Sequence, residues 1–373
     1  MAIKASGGNP PQNSLSFSEI EAEFGQNNSR SLGDYRMNNL NIGALTEVSL
    51  SRDGCGINAN NDIPVDNQEI KFSDFYSAKQ NIILDFHTTN QNRVNAKNDK
   101  YNASSPSGNY TVVGSPGNVK PSSTSGKKVI IHVTKVIGSE KPANNAAMAK
   151  VALRTGNWNS GTELLVEVAG GTVIGAGGDG GNGQSNNVGL PGGNGSSGLG
   201  IDYEGTKIQT SNGGLIACGF GGGGAGGGAR TKAEGGSWGG GRGPTVNITG
   251  SGGGGGQGAP GGNGGFGGAN GAAGDHEQAG DGGPETETQS CGSKGCAEIK
   301  GGNGGEGGHV GDTSADSGEA GATGPGPHED PNTAGGGQGG SNGSAIRKKN
   351  GNITFSLIGN PNIVGSTNNT GIS

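Results

Sequence analysis

The chain has 373 residues, 86 of them glycine, with 28% hydrophobic, 4% aromatic and 15% charged residues and a formal net charge of −6. So much glycine and so little apolar material excludes one conventional core, and scattered Lys and Arg under a negative balance exclude the basic stripe that binds nucleic acid. No apolar run of about 18 residues is present to span a membrane, and the N-terminus lacks the charged-then-apolar pattern of a secretory leader, so synthesis in a cytoplasm is expected.

Residues 1–79 are polar and punctuated. LSFSEIEAEFG places Phe17, Ile20 and Phe24 on one helical face, with Ser16 as cap and Gly25 as stop. SLGDYR, with Ser31 and Asp34, and KFSDFY, with Ser73 before Phe75 and Tyr76, suggest two further short starts. Such pieces cannot bury their own faces and read as docking elements. From about 80 to 174 the runs NIILDF, YTVVG, KKVIIHVTKVIG, MAKVALRT and TELLVEV are apolar or alternating, which predicts a small β domain. In VIIHVTKV, alternation predicts a half-buried strand with Val129, Ile131 and Val133 inside and Ile130, His132 and Thr134 opposite; His132 reads as a satisfied strand histidine.

Between Gly170 and Gly343 lie 68 of the 86 glycines. Ordering them costs about 1–2 kcal/mol per residue, which apolar burial cannot offset here, so either the segment stays disordered or backbone hydrogen bonding between neighbouring chains orders it. GGDGGNG, GGNGGFGGANG and GGNGGEGGH repeat every third residue, the polyproline II period, which favours a polyglycine II bundle. GEAGATGPGP keeps the collagen period too briefly for a triple helix. Three apolar pairs, Val173/Ile174, Leu215/Ile216 and Val246/Ile248, precede glycine runs and are expected to be feet on the β domain. Polar inserts at about 184–190, 201–212, 229–247, 270–300 and 309–334 are expected as loops, with 184–190, 229–240, 270–298 and 309–334 far from the β domain and 201–212 and 244–249 near it. AIRKKNGNITFSLIGNPNIVG then alternates again around an Asn-Gly turn and is expected to return to the β domain.

No nucleophile elbow, phosphate loop, HExxH or four-cysteine zinc pattern is present, so no enzyme, cofactor or metal is expected. Cys291 and Cys296 are spaced to close a small disulfide loop or to remain free thiols, and Cys55 and Cys218 have no obvious partners. The loop carboxylates read as solvated charge. Trp238 and Arg242, in EGGSWGGGRGP, are residue types that dominate binding hot spots, with packing on a bundle flank as the alternative for the tryptophan. His276, Lys294 and His328 join them as candidate receptor contacts; Phe17, Ile20, Phe24, Tyr35, Phe75 and Tyr76 are the candidate attachment contacts.

LSFSEIEAEFG, SLGDYR and IPVDNQEIKFSDFY resemble a short module of tailed-phage virion proteins, and the apolar feet, glycine runs and variable inserts are similar to the tip adhesins of T-even-like long tail fibres. The resemblance implies a virion tail protein that contacts other tail or fibre proteins through its N-terminal module and a host outer-surface protein or glycan through its loops. The expected architecture is mainly β and irregular, with a short helical attachment module (1–79), a β domain (80–174), a glycine-rich polyglycine II bundle with tip loops (175–345) and a returning β segment (346–373). Two other classes stay open, a purely structural tail or baseplate component with a glycine spacer and an ice-binding polyglycine II protein.

Overall fold

The computed structural model describes residues 15–24, 32, 69, 71–72, 82–86, 91–97, 111–113, 123–141, 148–233, 243–325 and 328–372. Its one α-helix among these, α1 (Phe17–Phe24), starts as the cap signals suggest. The Ser16 hydroxyl and N–H both donate to Glu19 Oε2, at 2.9 and 2.8 Å, so the Glu19 carboxylate makes its half of a capping box, while the Glu19 N–H donates to the Ser16 carbonyl. Ile20 is fully buried within the chain itself, and Phe17 packs edge-on against Phe72 with ring centroids 6.5 Å apart. The side chain of Phe24, and Tyr35, Phe75 and Tyr76 with the rest of both other expected starts apart from Leu32, Lys71 and Phe72, lie outside the described residues.

Strands follow in chain order: β1 (Ile82–Phe86), β2 (Gln91–Asn92), β3 (Val94–Asn95), β4 (Thr111–Val113), β5 (Lys128–Val133), β6 (Val136–Gly138), β7 (Val151–Arg154), β8 (Glu163–Ala169), β9 (Thr172–Ile174), β10 (Ser197–Ile201), β11 (Thr206–Ser211) and β12 (Leu215–Ala217). After the glycine block, with β13 (Ala229–Ala233), β14 (Val246–Ile248), β15 (Thr286–Gly292), β16 (Gly295–Gly301), β17 (Ala322–Thr323) and β18 (His328–Thr333), come β19 (Ile346–Lys348), β20 (Phe355–Leu357), β21 (Ile363–Val364) and β22 (Asn369–Thr370). Three sheets have the orders β20-β11-β8-β5-β1-β4, β2-β6-β9-β12-β21 and β22-β19-β10-β7-β3. Every pairing in them is parallel except β1 with β4. The chain visits the first sheet, then the second, then the third, and begins again one strand over, which makes a three-sided parallel solenoid.

Register explains why these residues build it. Leu84, Ile131, Val166, Ile208 and Leu357 are successive partners across the first sheet. Ile137, Val173, Ile216 and Ile363 do the same in the second, and Val94, Leu153, Leu199 and Ile346 in the third. Most of these rungs meet in one buried cluster, where each fully buried Val, Leu or Ile contributes about 1.5–3 kcal/mol. On the opposite face of the first sheet, Asp85, His132 and Glu167 are neighbours in register and all buried. The expected half-buried β5 is therefore wrong; both its faces are covered, as parallel sheets require. His132 Nδ1 lies 2.8 Å from Asp85 Oδ1, while His132 Nε2 and Glu167 Oε2 have no hydrogen-bond partner among the described residues. The segment 201–212, expected as a loop, contains the end of β10 and all of β11.

The glycine block leaves the corner between the second and third sheets, as 175–196 between β9 and β10 and as 218–345 between β12 and β19. The structure corrects the helical N-terminal module and the polyglycine II helix bundle expected from the sequence: among the described residues α1 is the one α-helix, the regular elements that follow are mainly β-strands, and the described residues of 175–345 contain no helix. They divide into strands, where Thr231, Val246, Ile248, Thr286 and Ile299 supply branched side chains, and extended glycine segments laid side by side. The segments are joined by backbone hydrogen bonds that recur every third residue. Gly178 and Gly181 donate to Phe220 and Gly223, whereas Gly177, Gly180 and Gly183 donate to Pro260, Asn263 and Phe266. Segments 218–228 and 251–258 are wholly buried, with 175–183, 189–196 and 261–268 bonded along one side and 280–283, 301–308 and 314–321 along the other.

Close approach dictates the glycines. A Cβ on Gly181 would lie 2.1 Å from the Leu190 carbonyl oxygen and one on Gly265 1.9 Å from that of Gly181. On the outer segments 175–183 and 261–268 the third residue of the triplet points out and need not be glycine; Asp179, Asn182, Asn263 and Phe266 are exposed there. Two of these side chains also satisfy backbone groups on the next segment, since Asp179 Oδ1 accepts from the Asn263 N–H at 2.6 Å and Asn182 Oδ1 from the Phe266 N–H at 2.8 Å.

Candidate functional site

Chain direction sorts the non-glycine inserts between two ends of the block. Near the solenoid, the Ala259 carbonyl accepts from the Ser139 N–H directly after β6, at 2.8 Å. Gln257 joins two further turns to this end, its Nε2 donating to the His276 carbonyl at 3.1 Å and its Oε1 accepting from the Val310 N–H at 2.9 Å. His276 is therefore at the end near the solenoid and not in a far loop. Its turn is set by Asp275, whose Oδ1 accepts from the N–H groups of Glu277 and Gln278 at 2.7 and 2.8 Å. These two bonds, Glu277 first, hold the Asp275 carboxyl below its ordinary value of 3.8. A lowered folded pKa means stability that is present above the unfolded value and lost as pH falls through the folded one. An NMR titration should show the Asp275 carboxyl midpoint below that of a free aspartate, and Asn in its place should remove the acid-side loss.

The other end carries sheets. β13 pairs antiparallel with β14 and with β18, and β16 with β15 and with β17. Val246 and Ile248, expected as a foot on the β domain, belong here instead. Ala229, Ile248 and Ile299 are buried together with Val246 against them. Polar ties join the pieces: Ser290 Oγ donates to the Pro244 carbonyl at 2.6 Å, Thr286 Oγ1 to the Thr249 carbonyl at 3.2 Å and Asn332 Nδ2 to Asn186 Oδ1 at 3.0 Å. Lys300 holds Glu285 at 2.7 Å, and this bond, with Glu287 and Glu298 nearby, raises its ammonium above the ordinary lysine value.

The β15–β16 hairpin is paired over seven residues on each strand. Cys291 and Cys296 face each other in register and are joined by a disulfide, leaving Ser293 and Lys294 between Gly292 and Gly295 at the exposed turn. Closing so short a loop contributes about 2 kcal/mol on chain entropy alone. Replacing both cysteines by Ser should therefore speed amide exchange in 287–299 severalfold while the solenoid amides stay as protected as before.

Of the candidate contacts, Lys294 sits at that turn and His328 opens β18. His328 is a strut: its Nε2–H donates to the Gly324 carbonyl at 2.7 Å, so Nδ1 accepts from Thr231 Oγ1 at 3.0 Å. Trp238 and Arg242 lie outside the described residues. Sequence reasoning missed Ser290 and Lys300, which only the antiparallel register brings into place. Among the described residues no three His, Cys, Asp or Glu side chains are grouped to hold a metal ion, and no helix is long and apolar enough to cross a membrane.

No known protein family matches the sequence, and no curated protein does. One solved structure is similar, the gp37–gp38 adhesin tip complex of the bacteriophage S16 long tail fibre, at 18% identity with a TM-score of 0.35 over 95% of this chain and 99% of that one.

Proposed function

We propose that the chain is a non-enzymatic phage tail-tip adhesin, mounted on the tail through its N-terminal residues, whose far-end sheets and loops bind a receptor on the host surface. The observation that carries this reading is the division of labour in the block. Its glycine segments are cross-bonded through the backbone, and antiparallel strands with branched side chains and the one disulfide among the described residues are gathered where those segments end, away from the solenoid. Loops fixed in advance lose less entropy on binding, which is what a rigid block provides. The residue resemblance of the N-terminal segment to phage virion modules supports the virion setting.

The test exchanges elements on phage particles. Gly-Ser segments of equal length replace 287–300 or 323–331 at the far end, or 275–278 or 309–312 near the solenoid, and adsorption to the natural host is scored. The proposal expects adsorption to fall at least tenfold for far-end exchanges and to stay within about twofold for the near-end ones. Unchanged adsorption after all four would favour a structural spacer.

A further inference from the structure

Segments 175–183, 189–196 and 261–268 form an outer layer, and hydrogen bonding fixes which of their outward residues stand beside one another. Leu190 donates its N–H to the Asn182 carbonyl, and Asn182 Oδ1 accepts the Phe266 N–H, so Leu190, Asn182 and Phe266 form one row across the flank. Three residues along, Gly193 donates to the Asp179 carbonyl and Asp179 Oδ1 accepts the Asn263 N–H, which sets a second row beside the first. Phe266 is 70% exposed. Its triplet position is satisfied by any small or polar residue, as Asn263 shows one repeat earlier, so the lattice does not call for a phenyl ring there.

We propose that this flank is a binding face for a neutral glycan, separate from the far-end loops, with Phe266 as the stacking ring and Asn182 and Asn263 as its hydrogen-bonding neighbours. The face of an aromatic ring carries negative charge density and attracts the partly positive C–H groups on one side of a sugar ring. Asn182 Oδ1 is occupied by the Phe266 N–H, which leaves its amide N–H groups to donate to hydroxyl oxygens. The charge pattern fits a neutral ligand. The Asp179 carboxylate is paired with Lys141 at 3.2 Å, whereas the exposed Asp281, Glu306 and Glu319 stand on the segments bonded to the opposite side of the central pair. A protein partner is the poorer fit, because interface centres need contiguous apolar area and Asn182 stands between Phe266 and the exposed Leu190 of the same row.

Affinity electrophoresis of the full chain through gels containing dextran, galactomannan or amylose, with alginate as the acidic comparison, tests this. The expected result is retardation by at least one neutral polymer and none by alginate. Phe266→Ser should weaken that interaction at least tenfold with an unchanged melting temperature, Phe266→Tyr should keep it, and Lys294→Ala at the far hairpin should leave it untouched. The proposal is overturned if no neutral polymer retards the protein, if Phe266→Ser is retarded like the native chain, or if the ring proves necessary only for capturing a host protein. None of these results bears on adsorption through the far-end loops.

Discussion

Gly253→Val is expected to abolish the ordered glycine block and Asn263→Val to leave it intact. Gly253 lies in the wholly buried segment 251–258; it donates to the Gly181 carbonyl and accepts from the Gly265 N–H, at 2.9 and 2.8 Å. A Cβ there would stand 2.1 Å from the Gly223 carbonyl oxygen, so the first methyl already forces two backbones apart. Because bonds recur every third residue along both segments, separation at one point strands several groups, each costing about 1–3 kcal/mol when buried. Few apolar contacts exist in the block to absorb that loss. Asn263, by contrast, is exposed at the outward triplet position and tolerates a branched side chain. Limited proteolysis of the two variants separates the cases: rapid cleavage within 250–310 is expected for Gly253→Val alone, and equal resistance in both would contradict the packing account.

The second large effect is in the solenoid. Ile131 and Leu357 occupy the same ladder of the first sheet, yet Ile131 is fully buried and Leu357, in the last coil, is 46% exposed. Truncating Ile131 to Ala removes buried methyl groups and leaves a cavity between Leu84 and Val166, at a cost of about 2–5 kcal/mol. Leu357→Ala, at a half-exposed position on the edge strand of the sheet among the described residues, should cost under about 1 kcal/mol. Denaturant unfolding that gave the two variants similar midpoints would mean that the ladders do not carry the solenoid's stability.

Much of the local structure was legible in the residues. The Val- and Ile-rich runs around Ile83, Ile131 and Val166 form strands, and the three-residue glycine period matches the spacing of the hydrogen bonds. Closure into a solenoid was not legible, because it depends on pairings such as Leu199 with Ile346 that bracket the whole of 218–345. Nor was the helix-poor character of the block, since glycine spacing reports how often neighbours meet and not which backbone class they adopt.

The candidate site was legible as a set of inserts but not as a place. Residues 270–298 read as one polar stretch, yet the chain turns at Asp275–Gln278 near the solenoid and runs the length of the block before β15. An aspartate two and three residues before the N–H groups it caps is a turn signal that was available and separates His276 from Lys294. His328 was singled out as a contact for its chemistry, and both of its ring nitrogens are spent on internal bonds.

The most direct test of recognition at the far end is photo-crosslinking on assembled particles, with benzoylphenylalanine placed at Lys294 on the far hairpin or at His276 on the near turn. Particles of both kinds are bound to host cells and irradiated. The account predicts a crosslink to a cell-surface molecule from position 294 and none from position 276; a host crosslink from 276 with none from 294 would contradict it.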